Sequence, residues 1–189
     1  MKQNHKCPKP RGCLMVEHRL IERVIGAIRN EKKRLEDGGE FHPAAIDQFV
    51  DFMRTYADDC HHGKEEDILF NDMEGKKLAD EDEQLRRDLI SEHEFARKTT
   101  AELVEARNRL AAGDRDQLSV VLDKFQALLD LYPQHIEKED RRFFPNSEAY
   151  FTNEELDDML RRFYDFDMEM IHAKYETVAG EIEQQMQAK

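Results

Sequence analysis

Apolar residues recur along this chain at steps of three and four, and no stretch of strand length alternates apolar with polar, so the pattern predicts helices alone. A first helix is expected from about Leu14 to Glu36, stopped by Gly38-Gly39. Pro43, at a first-turn position, opens a second that continues to about Phe70, and the polar stretch Asn71 to Asp82 is a connector. The third runs from about Glu83 to Ala112 and ends at Gly113-Asp114. The fourth runs from about Asp116 to Phe144, is stopped by Pro145, and should kink at Pro133. Thr152 and Glu155 form a capping box that starts a fifth helix reaching about Gln185. Residues 1–12, polar and carrying two prolines, are expected to form a flexible arm ahead of one domain spanning 13–189.

The inward stripes do not stay apolar. Helix 4 reads Leu118, Val121, Phe125, Leu128, Tyr132, and the next two positions are His135 and Glu139. Helix 2 reads Ile46, Val50, Met53, Ala57, then His61 and Glu65; helix 1 places His18 between Leu14 and Ile21; helix 3 places His93 between Leu89 and Ala96. One histidine on an apolar face is ordinarily a satisfied core residue. Four helices that each carry one at the inward stripe call for a shared cause.

Composition narrows the class. The 189 residues suit one domain with a real core, and abundant helix formers with only 8 glycines and 5 prolines agree with an all-α chain. A net charge of −13 argues against a nucleic-acid or anionic-membrane partner, and a mean hydropathy of −0.85 with no long apolar run argues against a membrane span. No basic start leads into an apolar segment, so no secretory signal is expected. Three cysteines, an odd number, make no disulfide framework, and a reducing cytoplasm is the expected setting.

The chain also repeats itself. Glu17-His18 recurs as Glu92-His93, and His61-x-x-x-Glu65-Glu66-x-x-Leu69-Phe70 recurs as His135-x-x-x-Glu139-Asp140-x-x-Phe143-Phe144. Each half is then a helical hairpin with one histidine on its first helix and a His-x-x-x-Glu pair on its second. Two such hairpins about a pseudo-two-fold axis make an up-down-up-down four-helix bundle, with the fifth helix added to it. Residues four apart share a helix face, so each His-x-x-x-Glu pair can grip one site. Two unpaired interior carboxylates would be costly, and two divalent cations offset that cost. Imidazole and carboxylate without thiolate suit iron, manganese or zinc, and four histidines with two glutamates leave coordination positions open. A second register, His62 with Glu66, is also open; the stripe and the repeat favour His61 with Glu65.

On these residues the chain resembles the hemerythrin family, specifically the bacterial HHE cation-binding type. LMVEHRLIERV, CHHGKEEDILF, SEHEFAR and HIEKEDRRFFP look like that family's four helix segments in order, over roughly residues 14–180. The resemblance implies two iron ions joined by an oxo or hydroxo bridge, with His18, His61, His93 and His135 as terminal ligands and Glu65 and Glu139 bridging. It also implies binding or sensing of dioxygen, peroxide or nitric oxide, with peroxide or nitric oxide reduction, iron donation for cluster repair, or a structural zinc or iron module as alternatives. Oxygen-carrying members have a further histidine four residues after the helix-3 ligand, where this chain has Arg97. Two substitutes are available: His62, adjoining His61, and His172 in helix 5, where the family's longer members carry a histidine. A homodimer and a separate signalling chain are compatible with the sequence.

Other residues carry weaker expectations. Cys60 precedes the histidine pair and is read as a small filler before a redox sensor; Cys7 and Cys13 are read as free thiols. Tyr56 and Tyr132 are expected to pack, and Phe49, Phe52, Phe95 and Phe125 to wall the site. His5, His42 and the acidic run Asp80, Glu81, Asp82, Glu83 are expected in solvent.

Overall fold

The computed structural model describes the backbone of residues 7–187 and the side chains as far as Ile171, together with Lys174. Among the described residues it is all helical. Helix α1 is Pro10–Glu36, α2 spans 43–73, α3 is Asp80–Ala111, α4 spans 117–147 and α5 is Asn153–Gln187. Connections of five or six residues join α1 through α4, which forces neighbours to run antiparallel. Helix α4 packs along α3 and α1, α2 packs against α3, and α5 lies on α1 and α2, giving a four-helix bundle with one helix added outside.

The helix ends follow from local chemistry. Gly38 (φ 83°) and Gly113 (φ 101°) take the left-handed conformation just past α1 and α3. There the amides of Gly39 and Asp114 reach back to the carbonyls of Arg34 and Arg109 at 2.9 and 3.1 Å, closing Schellman motifs. Before α5, the Thr152 amide donates to Glu155 Oε2 at 2.8 Å and the Glu155 amide donates to Thr152 Oγ1 at 3.3 Å, the reciprocal capping box.

Some boundaries differ from expectation. Helix α1 begins at Pro10 rather than Leu14, because proline suits a first-turn position and Cys7, Pro10 and Cys13 are buried against α5. Helix α3 begins at Asp80, and Asp82 is buried rather than solvated: it accepts from Asn146 Nδ2 at 2.8 Å and from Tyr150 Oη at 2.6 Å. Helix α4 continues through Pro133.

Two stretches of α2, Phe52–His62 and Glu65–Phe70, and one of α4, Glu139–Phe143, are π-helical. The wider turn holds more residues, so neighbours diverge less around the axis than in an α-helix; such segments concentrate at functional sites.

The core is divided. One apolar cluster holds Ile21, Ile25, Ile28, Ile46, Met53, Ala96, Leu103, Phe125 and Leu128; the other holds Leu14, Leu69, Phe70, Leu89, Phe143, Phe144 and Met159. On every bundle helix the residue that separates them is one of the stripe's histidines or glutamates. Helix α5 approaches closely beside this layer: a Cβ on Gly63 would sit 2.7 Å from the Phe166 ring. Since Phe125 is wholly buried in the larger cluster, Phe125→Ala should lower the stability of the metal-free protein by about 3–5 kcal/mol in chemical denaturation.

Candidate metal centre

Seven buried side chains from four helices converge in the polar layer. His18, His61, Glu65 and Glu139 place ligand atoms within 4.8 Å of one another, as do Glu65, His93, His135 and Glu139. The two glutamates are common to both groups, so the arrangement has two positions with carboxylates between them. His62 forms a third group with His93 and His135, which makes the second position richer by one imidazole. Glu139 Oε2 lies 3.1 Å from His18 Nε2 and 3.2 Å from His135 Nε2, while Glu65 lies 3.5 Å from His61 Nε2 and 3.4 Å from His93 Nε2.

Those inward atoms face one another at ion-pair distances but without hydrogen-bond geometry. The Nε2 atoms of all five histidines and both oxygens of Glu65 and Glu139 are buried without a hydrogen-bond partner; these nine are most of the twelve such side-chain atoms among the described residues. Leaving one buried polar group unpaired costs about 1–3 kcal/mol. Nine aimed at one small volume fit divalent cations, and the donor set suits iron, manganese or zinc.

The outward nitrogens are all occupied. Nδ1 of His18 lies 2.7 Å from Asp140, that of His61 2.8 Å from Glu17, that of His62 3.3 Å from Asp58, that of His93 2.7 Å from Glu66, and that of His135 2.9 Å from Glu92. An Nδ1–H held by a carboxylate fixes the tautomer that turns the Nε2 lone pair inward. A cation backs each carboxylate: Arg19 pairs with Asp140, Lys64 with Glu17, Lys138 with Glu92, and Arg97 with both Asp58 and Glu66. Lys64 is fully buried and also donates to Asp167 of α5 at 2.6 Å.

Electrostatics follow from this enclosure. Burial pushes the Glu65 carboxyl well above the usual range, and the charge of Glu139 adds to it. Burial would raise Glu139 as well, but His135 and His18 outweigh it and hold that carboxyl well below. Burial opposes charge on His18 too, yet Asp140 and Glu139 raise it to about 9. His62 is driven down to about 3, by burial first and by His93 second.

The sequence-level candidates fall out as follows. His18, His61, Glu65, His93, His135, Glu139 and His62 come together. Glu66, the carboxylate of the other register, lies outside the cluster beside His93 Nδ1 and Arg97. The side chain of His172 and all of His5 fall outside the described residues. The expected walls need correction. Phe95 is 48% exposed because its position on α3 faces away from the bundle, and Phe49 meets Phe125 within the larger apolar cluster. Among the described residues, three other rings stack on the histidines: Phe144 on His18 (5.6 Å) and Phe70 on His93 (6.1 Å), the phenylalanines that end the two repeated motifs, and Tyr132 on His62 (6.5 Å). Cys60 is half-buried with Sγ 3.3 Å from Asp167, and burial raises its thiol to about 12, so it keeps its proton. Sequence reasoning gave no role to Glu17, Glu92 and Asp140, although their repetition beside the ligands was the available signal; it weighed Glu66 only as a ligand of the other register and Arg97 only as the residue in place of a further histidine, and Asp58 carried no signal.

A cavity of about 330 Å³ reaches His62 between α2, α3 and α4, lined also by Met53, Ala96, Arg97, Thr100 and Tyr132. No described helix is long and apolar enough to cross a membrane.

A bundle with this interior is a metal-binding helical protein. The family model for the hemerythrin HHE cation-binding domain matches residues 13–147, and the chain belongs to that family. It is also 26% identical, over 153 residues, to uncharacterized proteins of Mycobacterium bovis and of two strains of Mycobacterium tuberculosis, covering 80% of this chain and 58% of theirs. The chain thus spans little more than half the length of those relatives. No solved structure matches it significantly.

Metal loading should displace protons. At pH 7.5 the metal-free His18, raised to about 9, holds a proton that competes for the lone pair a metal needs, and burial favours the protonated form of Glu65 in the same direction. Loading in weak buffer should therefore acidify the solution, read with an indicator dye, and the apparent affinity should fall as the pH is lowered.

Proposed function

We propose that this chain is a di-iron protein that binds or senses dioxygen or a related small oxidant, peroxide or nitric oxide. The observation that carries the reading is the convergence of nine unpartnered, buried ligand atoms in two groups that share Glu65 and Glu139. His18 and His61 would hold one ion, His93, His135 and His62 the other, and the two glutamates would span them. Iron so bound supplies one-electron redox chemistry and an open coordination position for a small diatomic or peroxide.

The chain's own groups do the rest. The outer carboxylates orient five imidazoles and raise their basicity as ligands. Phe70 and Phe144 keep water from the faces of His93 and His18. The cavity beside His62 is large compared with the roughly 30 Å³ a water molecule occupies in the liquid, so it admits a small molecule to an otherwise enclosed layer. That access favours reaction with a small molecule over a purely structural metal. Tyr132 lines the cavity, and burial raises its hydroxyl far above the ordinary phenol value, so it remains a proton-bearing hydrogen-bond donor.

Anaerobic ferrous loading should give two irons per chain, with near-ultraviolet charge-transfer absorption growing in on exposure to air. Substoichiometric iron after loading would overturn the reading. His135→Ala should abolish dinuclear binding. Ala96→Leu, which projects a larger side chain toward the cavity, should slow the response to oxidant several-fold in stopped flow while the iron content stays unchanged.

A further inference from the structure

The cations behind the outer carboxylates are not used evenly. Arg19, Lys64 and Lys138 each back one carboxylate that holds a histidine. Arg97 backs two. Its Nε donates to Asp58 Oδ1 at 2.7 Å and its Nη2 donates to Glu66 Oε1 at 2.7 Å. These same two oxygens lie beside Nδ1 of His62 and Nδ1 of His93. The two rings stack with centroids 3.8 Å apart and planes 13° from parallel.

The arrangement has no counterpart in the other half of the repeat. There Ile136 stands where His62 would be, Tyr132 where Asp58 would be, and Glu22 where Arg97 would be. The extra imidazole, the extra carboxylate and the bridging arginine therefore occur together, on one side of the pseudo-symmetric site.

We propose that Arg97 is the positioning residue for the histidine-rich half of the centre: one guanidinium ties together the two carboxylates that aim His62 and His93. This rests on the reading of the site as dinuclear. Without the guanidinium, Asp58 and Glu66 carry like charges facing a shared gap, and the stacked rings they hold lose their common anchor. A planar fork with fixed donors can serve both oxygens at once, whereas a lysine ammonium is a single point charge. Arg97 is about one-third exposed and lines the cavity, so substitution leaves no unfilled hole in either apolar cluster.

The test uses the full chain as wild type, R97L and R97K. In the metal-free proteins, imidazole ¹⁵N resonances report tautomer and orientation. R97L should shift those of His62 and His93 and leave His18 and His61 in place, with far-ultraviolet circular dichroism unchanged. In cobalt(II) titrations followed by visible absorption, wild type should take two ions. R97L should weaken one binding step by about 10–100-fold and spare the other, with R97K between them. Unchanged imidazole spectra in R97L, equal weakening of both steps, or full recovery in R97K would each overturn the proposal. If R97L does not fold, R97K against wild type carries the same comparison. A wild type that takes fewer than two ions would instead overturn the dinuclear reading, and the metal-free spectra would still decide the role of Arg97.

Discussion

Two carboxylates and five imidazoles cross the middle of this bundle in a single layer, and the rest of the structure is arranged around the cost of keeping them there. Charges in a protein interior are tolerated when they are paired, hydrogen-bonded or bound to metal. The outward side of the layer is satisfied by protein: five carboxylates hold the five Nδ1 atoms, and four cations hold the carboxylates. The inward side is left to the cation that the family binds. The apolar core is split by this layer, and each part must pack independently on its own side of it.

The two-fold repeat explains much of how the layer is built. Glu17 reaches His61 as Glu92 reaches His135, and Asp140 reaches His18 as Glu66 reaches His93. Each hairpin thus supplies ligands oriented partly by the other, so neither half can form the site alone. Lys64 and Lys138 obey the same repeat, but α5 buries only Lys64, through Asp167, while Lys138 stays partly exposed. The added helix therefore touches the centre from one side, through an ion pair one residue removed from a histidine.

The two-fold symmetry is broken on one side of the layer. His62 enters only one half, and the π-helical turns of α2 make this geometrically feasible by reducing the angle between adjacent side chains. The same side carries Arg97 and the cavity. An imidazole surplus, a guanidinium and an opening thus converge on one of the two positions, leaving the other enclosed between His18, His61 and Phe144.

Much of this was legible in the chain alone. Steps of three and four fix helices, glycine and proline fix their ends, and a repeated His-x-x-x-Glu at helical spacing puts ligand types on one face; these are local properties of the backbone, and the periodicity of a helix carries them without tertiary information. Six of the seven converging residues follow from the stripes, and His62 stood as an open alternative. What the fold decided was everything that depends on relative rotation between helices. Whether His62 turns in or Glu66 turns out, which phenylalanines face the rings, and that Phe95 points to solvent depend on angles of a few tens of degrees that a sequence period does not specify. A carboxylate such as Asp58 looks like any solvated charge along the chain, and Arg97 registers there only as the residue in place of a further histidine. They acquire a role only when packing brings α2 and α3 close enough for one guanidinium to reach two acceptors.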